Sequence, residues 1–143
     1  MVYLISACLL GTPCRYDGES RTVSDGIRAL LAAHTLIPIC PEILGGLPTP
    51  RPPAERQKDG RIVNTSGEDV TEAYLRGARE ALRLARLYRA AGVILKDRSP
   101  SCSTGGIYDG SFGGRLIDGL GVTAALLSEA GIPVFSESAL PSP

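Results

Sequence analysis

The chain has no tryptophan, one methionine, one histidine and only two phenylalanines. So few aromatic faces leave little for the bases of a single-stranded nucleic acid to stack on. Concentrated charge is equally scarce. Fifteen Lys and Arg balance fifteen Asp and Glu, and no like-charged run exceeds two residues, so the electrostatic footprint of a polyanion-binding protein is missing. No apolar run approaches the roughly 20 residues that a membrane span requires. The opening MVYLISACLLG has neither the basic leader nor the small-residue cleavage pattern of a secretion signal. These absences point to a reducing, cytoplasmic setting with no nucleic-acid or membrane partner.

What is present suffices for one domain over residues 1–143. At 43% hydrophobic, a chain of this length buries roughly two-thirds of its unfolded surface, and its core holds the fold without staples. Four cysteines are far below the density of a disulfide scaffold. In a reducing setting they are buried fillers, metal ligands or reactive thiols.

Short apolar runs bounded by turn residues read as buried strands: VYLIS (2–6), TLIPIC (35–40), GVILK (92–96) and IPVFS (132–136). Helices fall between them. The clearest covers about 68–91, where Val70, Tyr74, Gly77, Ala81, Ala85 and Tyr88 share one face. Thr65, Ser66 or Asp69 is placed to cap its start and Gly92 to stop it. Further helices are expected over 23–33 and 121–130. The alternation predicts an α/β domain, a three-layer Rossmann-like or flavodoxin-like fold with a mostly parallel sheet. The Pro- and Gly-rich stretch 41–61 reads as one long loop.

Parallel α/β sheets bind ligands beyond the carboxyl ends of their strands. Cys8 follows the first predicted strand, Cys40 ends the second, and Cys102 lies in the loop after GVILK. Three strand ends therefore bring three thiols to one edge, with Cys14 six residues beyond Cys8 in a turn. A lone cysteine near a strand end is often just core; that explanation weakens when all four share an edge. Thiolates suit zinc or an iron–sulfur cluster. The compact C-x2-4-C pairs of structural zinc are absent, and scattered spacing fits a cluster better, although it matches no ferredoxin-type run.

Around the cysteines, CPE puts Glu42 at the rim of the same edge as a candidate general acid or base, the alternative being a solvated glutamate or an N-cap partner. The stretch KDRSPSCSTGG offers Ser99, Ser101, Ser103 and Thr104 as hydrogen-bonding groups, although Ser and Gly furnish any loop. Arg51 is the candidate cation over the pocket, against the default of a solvated arginine. The two Tyr-Asp-Gly segments, 16–18 and 108–110, read as structural turns. The sole histidine, His34, ends a helix at the opposite edge, which argues against a Cys–His hydrolase. No G-x-G-x-x-G follows the first strand, so a dinucleotide-binding site is not expected.

With these motifs assembled, the chain resembles the bacterial thiouracil desulfidase family. The resemblance runs through SACLLGTPCRYDG, CPEILGGLPTPR, GEDVT, ILKDRSPSC, IYDGSF, GVTAALL and GIPVFSE. It departs at Ser103, where the family pattern has glycine. The resemblance implies a [4Fe-4S] cluster held by three cysteines, Cys8, Cys40 and Cys102, with Cys14 a non-ligand or an alternative ligand. It further implies non-redox removal of sulfur from a small thiolated base such as 2-thiouracil, yielding uracil and hydrosulfide, with one open iron as Lewis acid. Glu42 would then handle the proton of the attacking water, and Ser99 or Ser101 would hydrogen-bond the base. The rival expectations are an iron–sulfur carrier without hydrolytic turnover and a structural zinc or thiol protein.

Overall fold

The first strand, β1 (Val2–Ser6), is buried at four of its five positions, and its side chains divide between two separate apolar clusters. Leu4 lies in one cluster with Val93 and Leu95, whereas Tyr3 and Ile5 lie in the other with Ile94. This alternation is what a strand covered on both faces requires. The computed structural model describes residues 1–143, and its elements follow in the order β1, a 3-10 turn (Ala7–Leu10), α1 (Asp25–Ala33), β2 (Thr35–Ile39), α2 (Pro41–Leu44), β3 (Ala54–Arg56), β4 (Ile62–Asn64), α3 (Thr71–Leu87), β5 (Gly92–Leu95), β6 (Gly106–Tyr108), β7 (Leu116–Asp118), α4 (Val122–Glu129) and β8 (Val134–Ser136).

Four strands form one parallel sheet in the order β2-β1-β5-β8. Ala81 and Ala85 of α3 and Ala124 and Leu127 of α4 cover one face of it. Ile27 and Leu30 of α1, with Leu9 of the 3-10 turn, cover the other. The result is the expected three-layer α/β fold. The connection from β1 leads outward to β2 on one side, and the chain then crosses back to β5 on the other. The carboxyl ends of β1 and β5 therefore flank the switch point at which an open parallel sheet binds its ligands.

Several boundaries differ from those the sequence predicts. α3 ends at Leu87 rather than running to Gly92. Arg89 takes the left-handed conformation at φ 51° that closes the helix, and the Ala90 amide donates back to the Ala85 carbonyl, a termination usually carried by glycine. Gly92 belongs to β5 instead. The start of α3 is held by Asp69, whose Oδ1 accepts from the Thr71 amide and hydroxyl. The stretch 41–61 is not one loop, since it contains α2 and β3, and β3 pairs antiparallel with β4. A second hairpin, β6–β7, follows the Cys102 segment and has no counterpart in the sequence reading.

Two glycines fix the placement of α2. A Cβ on Gly77 of α3 would lie 1.8 Å from the Pro41 carbonyl oxygen, and one on Gly45, just past α2, would lie 1.9 Å from the Ala73 carbonyl oxygen. The short helix thus rests backbone to backbone on α3. No helix is long and apolar enough to cross a membrane.

Candidate metal centre

The strand ends bring the four cysteines together as the sequence suggests. Cys8 lies in the 3-10 turn directly after β1, Cys40 is the N-cap of α2 directly after β2, and Cys102 lies in the turn after β5. All four thiols are free; Cys14 and Cys102 are buried, Cys8 and Cys40 half-buried. The Cys40 thiol faces the Cys14 carbonyl at 3.9 Å, and the four thiols lie close enough to shift one another's proton affinities.

The thiols' proton affinities reflect this crowding. Interaction with the Cys14 thiol lowers the pKa of Cys8, with a smaller contribution from the Lys96 ammonium. Cys40 is raised by its hydrogen bond to Cys14 and by burial. Burial and the neighbouring Glu42 carboxylate push Cys102 up to about 12. Cys14 is also raised, because its interaction with Cys8 and its burial outweigh the lowering effect of Cys40. At Cys14, Cys40 and Cys102 the bare thiolate is thus penalised, and a bound cation would invert that preference.

The donor set suits a cluster better than a single ion. No group of three Cys, His, Asp or Glu side chains is arranged around a position for one metal ion. A multinuclear cluster is a larger body whose ligands attach to different irons, and thiols arriving from three separate strand ends are compatible with it.

Glu42, in the first turn of α2, stands beside the thiols within a web of donors. Its Oε2 accepts from Arg51 Nε at 2.8 Å and the Tyr74 hydroxyl at 3.2 Å and forms an ion pair with Arg51 Nη2 at 2.8 Å, and its Oε1 accepts from the Ser99 hydroxyl at 3.2 Å. Arg51 is not a solvated arginine; its side chain is 5% exposed. It also donates to the carbonyls of Pro48 and Cys14 and to Thr49 Oγ1. Burial opposes its charge, yet Glu42 keeps its pKa above the ordinary value. Tyr74 is buried on α3, and burial together with Glu42 raises its hydroxyl pKa.

Ser99 links this web to Cys102. Its Oγ donates to Glu42 and accepts from the amides of Ser101 and Cys102, at 3.0 and 3.1 Å. Ser101, expected from sequence as a second hydrogen-bonding group for the base, is fully buried, and its hydroxyl pairs with Thr123 Oγ1 at 2.7 Å. α4 completes this anchor. The amides of Gly121, Val122 and Thr123 donate to the carbonyls of Ser103, Pro100 and Ser101, so the open end of the helix grips the cysteine loop in place of a side-chain cap. A Cβ on Gly121 would stand 2.4 Å from the Ser101 carbonyl oxygen.

Ser103 is buried, and its hydroxyl donates to the Gly106 carbonyl while accepting from the Gly106 amide. It lies outside the left-handed region, so this position does not demand glycine. Both Tyr-Asp-Gly segments are turns, with Gly18 at φ 72° and Gly110 at φ 94° and an Asp Oδ1 accepting from the amide two residues on. His34 lies at the far edge, where Nδ1 meets the Met1 amino group. The sequence offers Arg51 as the candidate cation over the pocket without tying it to Glu42, and places Tyr74 only on a helix face. The one available signal was that a buried tyrosine hydroxyl needs a partner.

Fold and site together define a parallel α/β domain with a thiol centre at its switch point and a donor-held carboxylate beside it. The model of the 2-thiouracil desulfurase family matches residues 3–139, and the chain belongs to that family. It is 48% identical over 146 aligned residues to the uncharacterized protein YbbK of Bacillus subtilis (strain 168), covering 96% of each chain. Among solved structures it is similar to the [4Fe-4S]-dependent thiouracil desulfidase TudS, with 51% identity, a TM-score of 0.90 and coverage of 97% of this chain and 92% of that one.

Proposed function

We propose that this protein is a [4Fe-4S]-dependent desulfidase that removes sulfur from a small thiolated base of the 2-thiouracil type, releasing uracil and hydrosulfide. The observation that carries the reading is the convergence of four free thiols beside Glu42 at one sheet edge, in a chain half identical to a desulfidase of that description. Cys8, Cys40 and Cys102 hold the cluster, because each lies beyond the carboxyl end of a different strand of the parallel sheet, β1, β2 and β5 respectively. When bound, the cluster supplies a Lewis-acidic iron for the thiocarbonyl sulfur, with no change of oxidation state.

The chain's own residues supply the rest. Glu42 takes the proton of the water that attacks the thiocarbonyl carbon. Its Oε2 is occupied by Arg51 and Tyr74, so proton transfer falls to Oε1, which carries one donor, Ser99. Arg51 and Tyr74 are positioning residues, and Ser99 couples the carboxylate to the Cys102 backbone. Ser101 acts on the loop through Thr123.

The test begins with protein purified or reconstituted without oxygen. About four irons and four labile sulfides per chain are expected, retained in Cys14→Ala and lost in Cys8→Ala, Cys40→Ala and Cys102→Ala. Incubation with 2-thiouracil alone should then give uracil and free sulfide in equal amounts. Sulfur release only on addition of a thiol acceptor would instead make the protein a sulfur carrier, and absence of iron under every condition would remove the reading altogether.

A further inference from the structure

Three thiols suffice for the centre proposed above, and the chain brings four. Cys14 is buried where Cys8 and Cys40 are partly open, and it lies on the internally bonded loop that follows Cys8. Its main chain is fixed, since the carbonyl accepts from Arg51 Nη2 at 3.0 Å and faces the Cys40 thiol at 3.9 Å. A thiol so placed is shielded from solvent while neighbouring two that are not.

We propose that Cys14 is a resolving cysteine: when the cluster is lost, it closes a disulfide with Cys8 and so preserves the ligand set from irreversible oxidation. The inference rests on the reading that Cys8, Cys40 and Cys102 are the ligands. The oxidant is a peroxide. The Cys8 sulfur attacks the peroxide O–O bond and gives up an electron pair, becoming a sulfenic acid, while the displaced oxygen leaves as water with the former thiol proton. The Cys14 sulfur then attacks the sulfenic sulfur. The S–O bond breaks, and the hydroxide departs with the Cys14 proton as a second water. Two thiols and one hydrogen peroxide yield one disulfide and two waters. Without Cys14, a second peroxide carries Cys8 to the sulfinic acid, from which ordinary thiol reductants do not recover it.

Cys8 is the partner rather than Cys40 because Cys8 and Cys14 lie on one locally bonded loop. Gly11 donates to the Cys8 carbonyl, Thr12 to that of Ala7 and Cys14 to that of Thr12, so closing the bond moves one loop and no element against another. Cys40 heads α2, which the Gly45 and Gly77 contacts lock against α3.

The test uses the loaded protein and a Cys14→Ser variant, each assayed for iron first, then stripped with a chelator in the presence of hydrogen peroxide. In the wild type we expect the loss of two alkylatable thiols per chain, a cross-linked peptide pair joining positions 8 and 14, and full recovery of thiols and of iron reloading after dithiothreitol. Cys14→Ser should instead accumulate sulfinic acid at Cys8 and lose most of its capacity to reload. Equal sulfinic acid formation in both proteins, or a cross-link between Cys14 and Cys40, would overturn the inference. If Cys14→Ser carries no iron before any oxidant is added, the ligand assignment itself fails. That outcome is distinct because the iron count comes first.

Discussion

At the scale of single residues, Glu42 is the side chain whose surroundings say most about its use. Four donor contacts from Arg51, Tyr74 and Ser99 fix its carboxylate, and such an arrangement is costly to build for a group that only caps a short helix. Glu42→Gln preserves shape and most acceptor capacity while removing the base. We expect it to retain full iron content and to lose about 10²- to 10⁴-fold in turnover, the usual contribution of one general acid–base group; iron analysis with steady-state rates on 2-thiouracil checks both halves.

Acid sensitivity is also set residue by residue. Asp59, Asp69 and Asp109 are each held below the usual carboxylate range, chiefly by side-chain donors on Arg61, Thr71 and Ser111 and then by backbone amides of the same residues. As the pH falls, the unfolded chain protonates these groups first. The stability they contribute is therefore complete above the unfolded value of 3.8 and disappears as the pH drops through their lower folded values. Thermal melts between about pH 5 and pH 3 should show this loss, and Asp69→Asn, which keeps an oxygen acceptor but cannot ionise, should flatten part of the slope.

At the scale of elements, the four core strands were legible because each is a short apolar run stopped by a turn, a signal that burial on both faces enforces. The convergence of Cys8, Cys40 and Cys102 followed from those strand ends and the parallel topology. The hairpins were not legible. Each of their strands is three residues long, and β7 is exposed throughout, so neither length nor alternation marks them. The end of α3 was misplaced because an arginine fills a position where the sequence suggests waiting for a glycine. Arg51 and Tyr74 could not be assigned to Glu42, since that contact joins α2, a proline-rich segment and α3, which no local pattern relates.

The α2–α3 contact makes a prediction of its own. Gly77→Ala would ordinarily favour a helix by about 1 kcal/mol, but here the added Cβ meets the Pro41 carbonyl. We expect a net destabilisation of about 1–3 kcal/mol, as for other overpacked sites. Because α2 begins at Cys40 and carries Glu42, iron occupancy should fall with stability. Denaturant titration paired with iron analysis, with the exposed Gly60→Ala as a backbone-strain control, separates this from a general glycine effect.

At the scale of the whole molecule, the proposed ligands come from three crossovers, so loading the centre ties the sheet together at one end. Metal binding to a site absent from the unfolded chain is stabilisation of the fold. The loaded protein should melt well above its stripped form, by about 3–5 °C for each kcal/mol of binding free energy. Cys102→Ala should melt at the same temperature whether or not iron is offered.

The grip of α4 on the Cys102 loop bears on how the protein is made. The amides that hold residues 100–103 belong to Gly121, Val122 and Thr123, which leave the ribosome after every cysteine has emerged. Until they arrive, Cys8, Cys14 and Cys40 can be displayed by a nascent chain, but Cys102 has no fixed place. With Cys102 as a proposed ligand, the complete thiol set is therefore held in place only once α4, which follows all four cysteines, has docked on the loop.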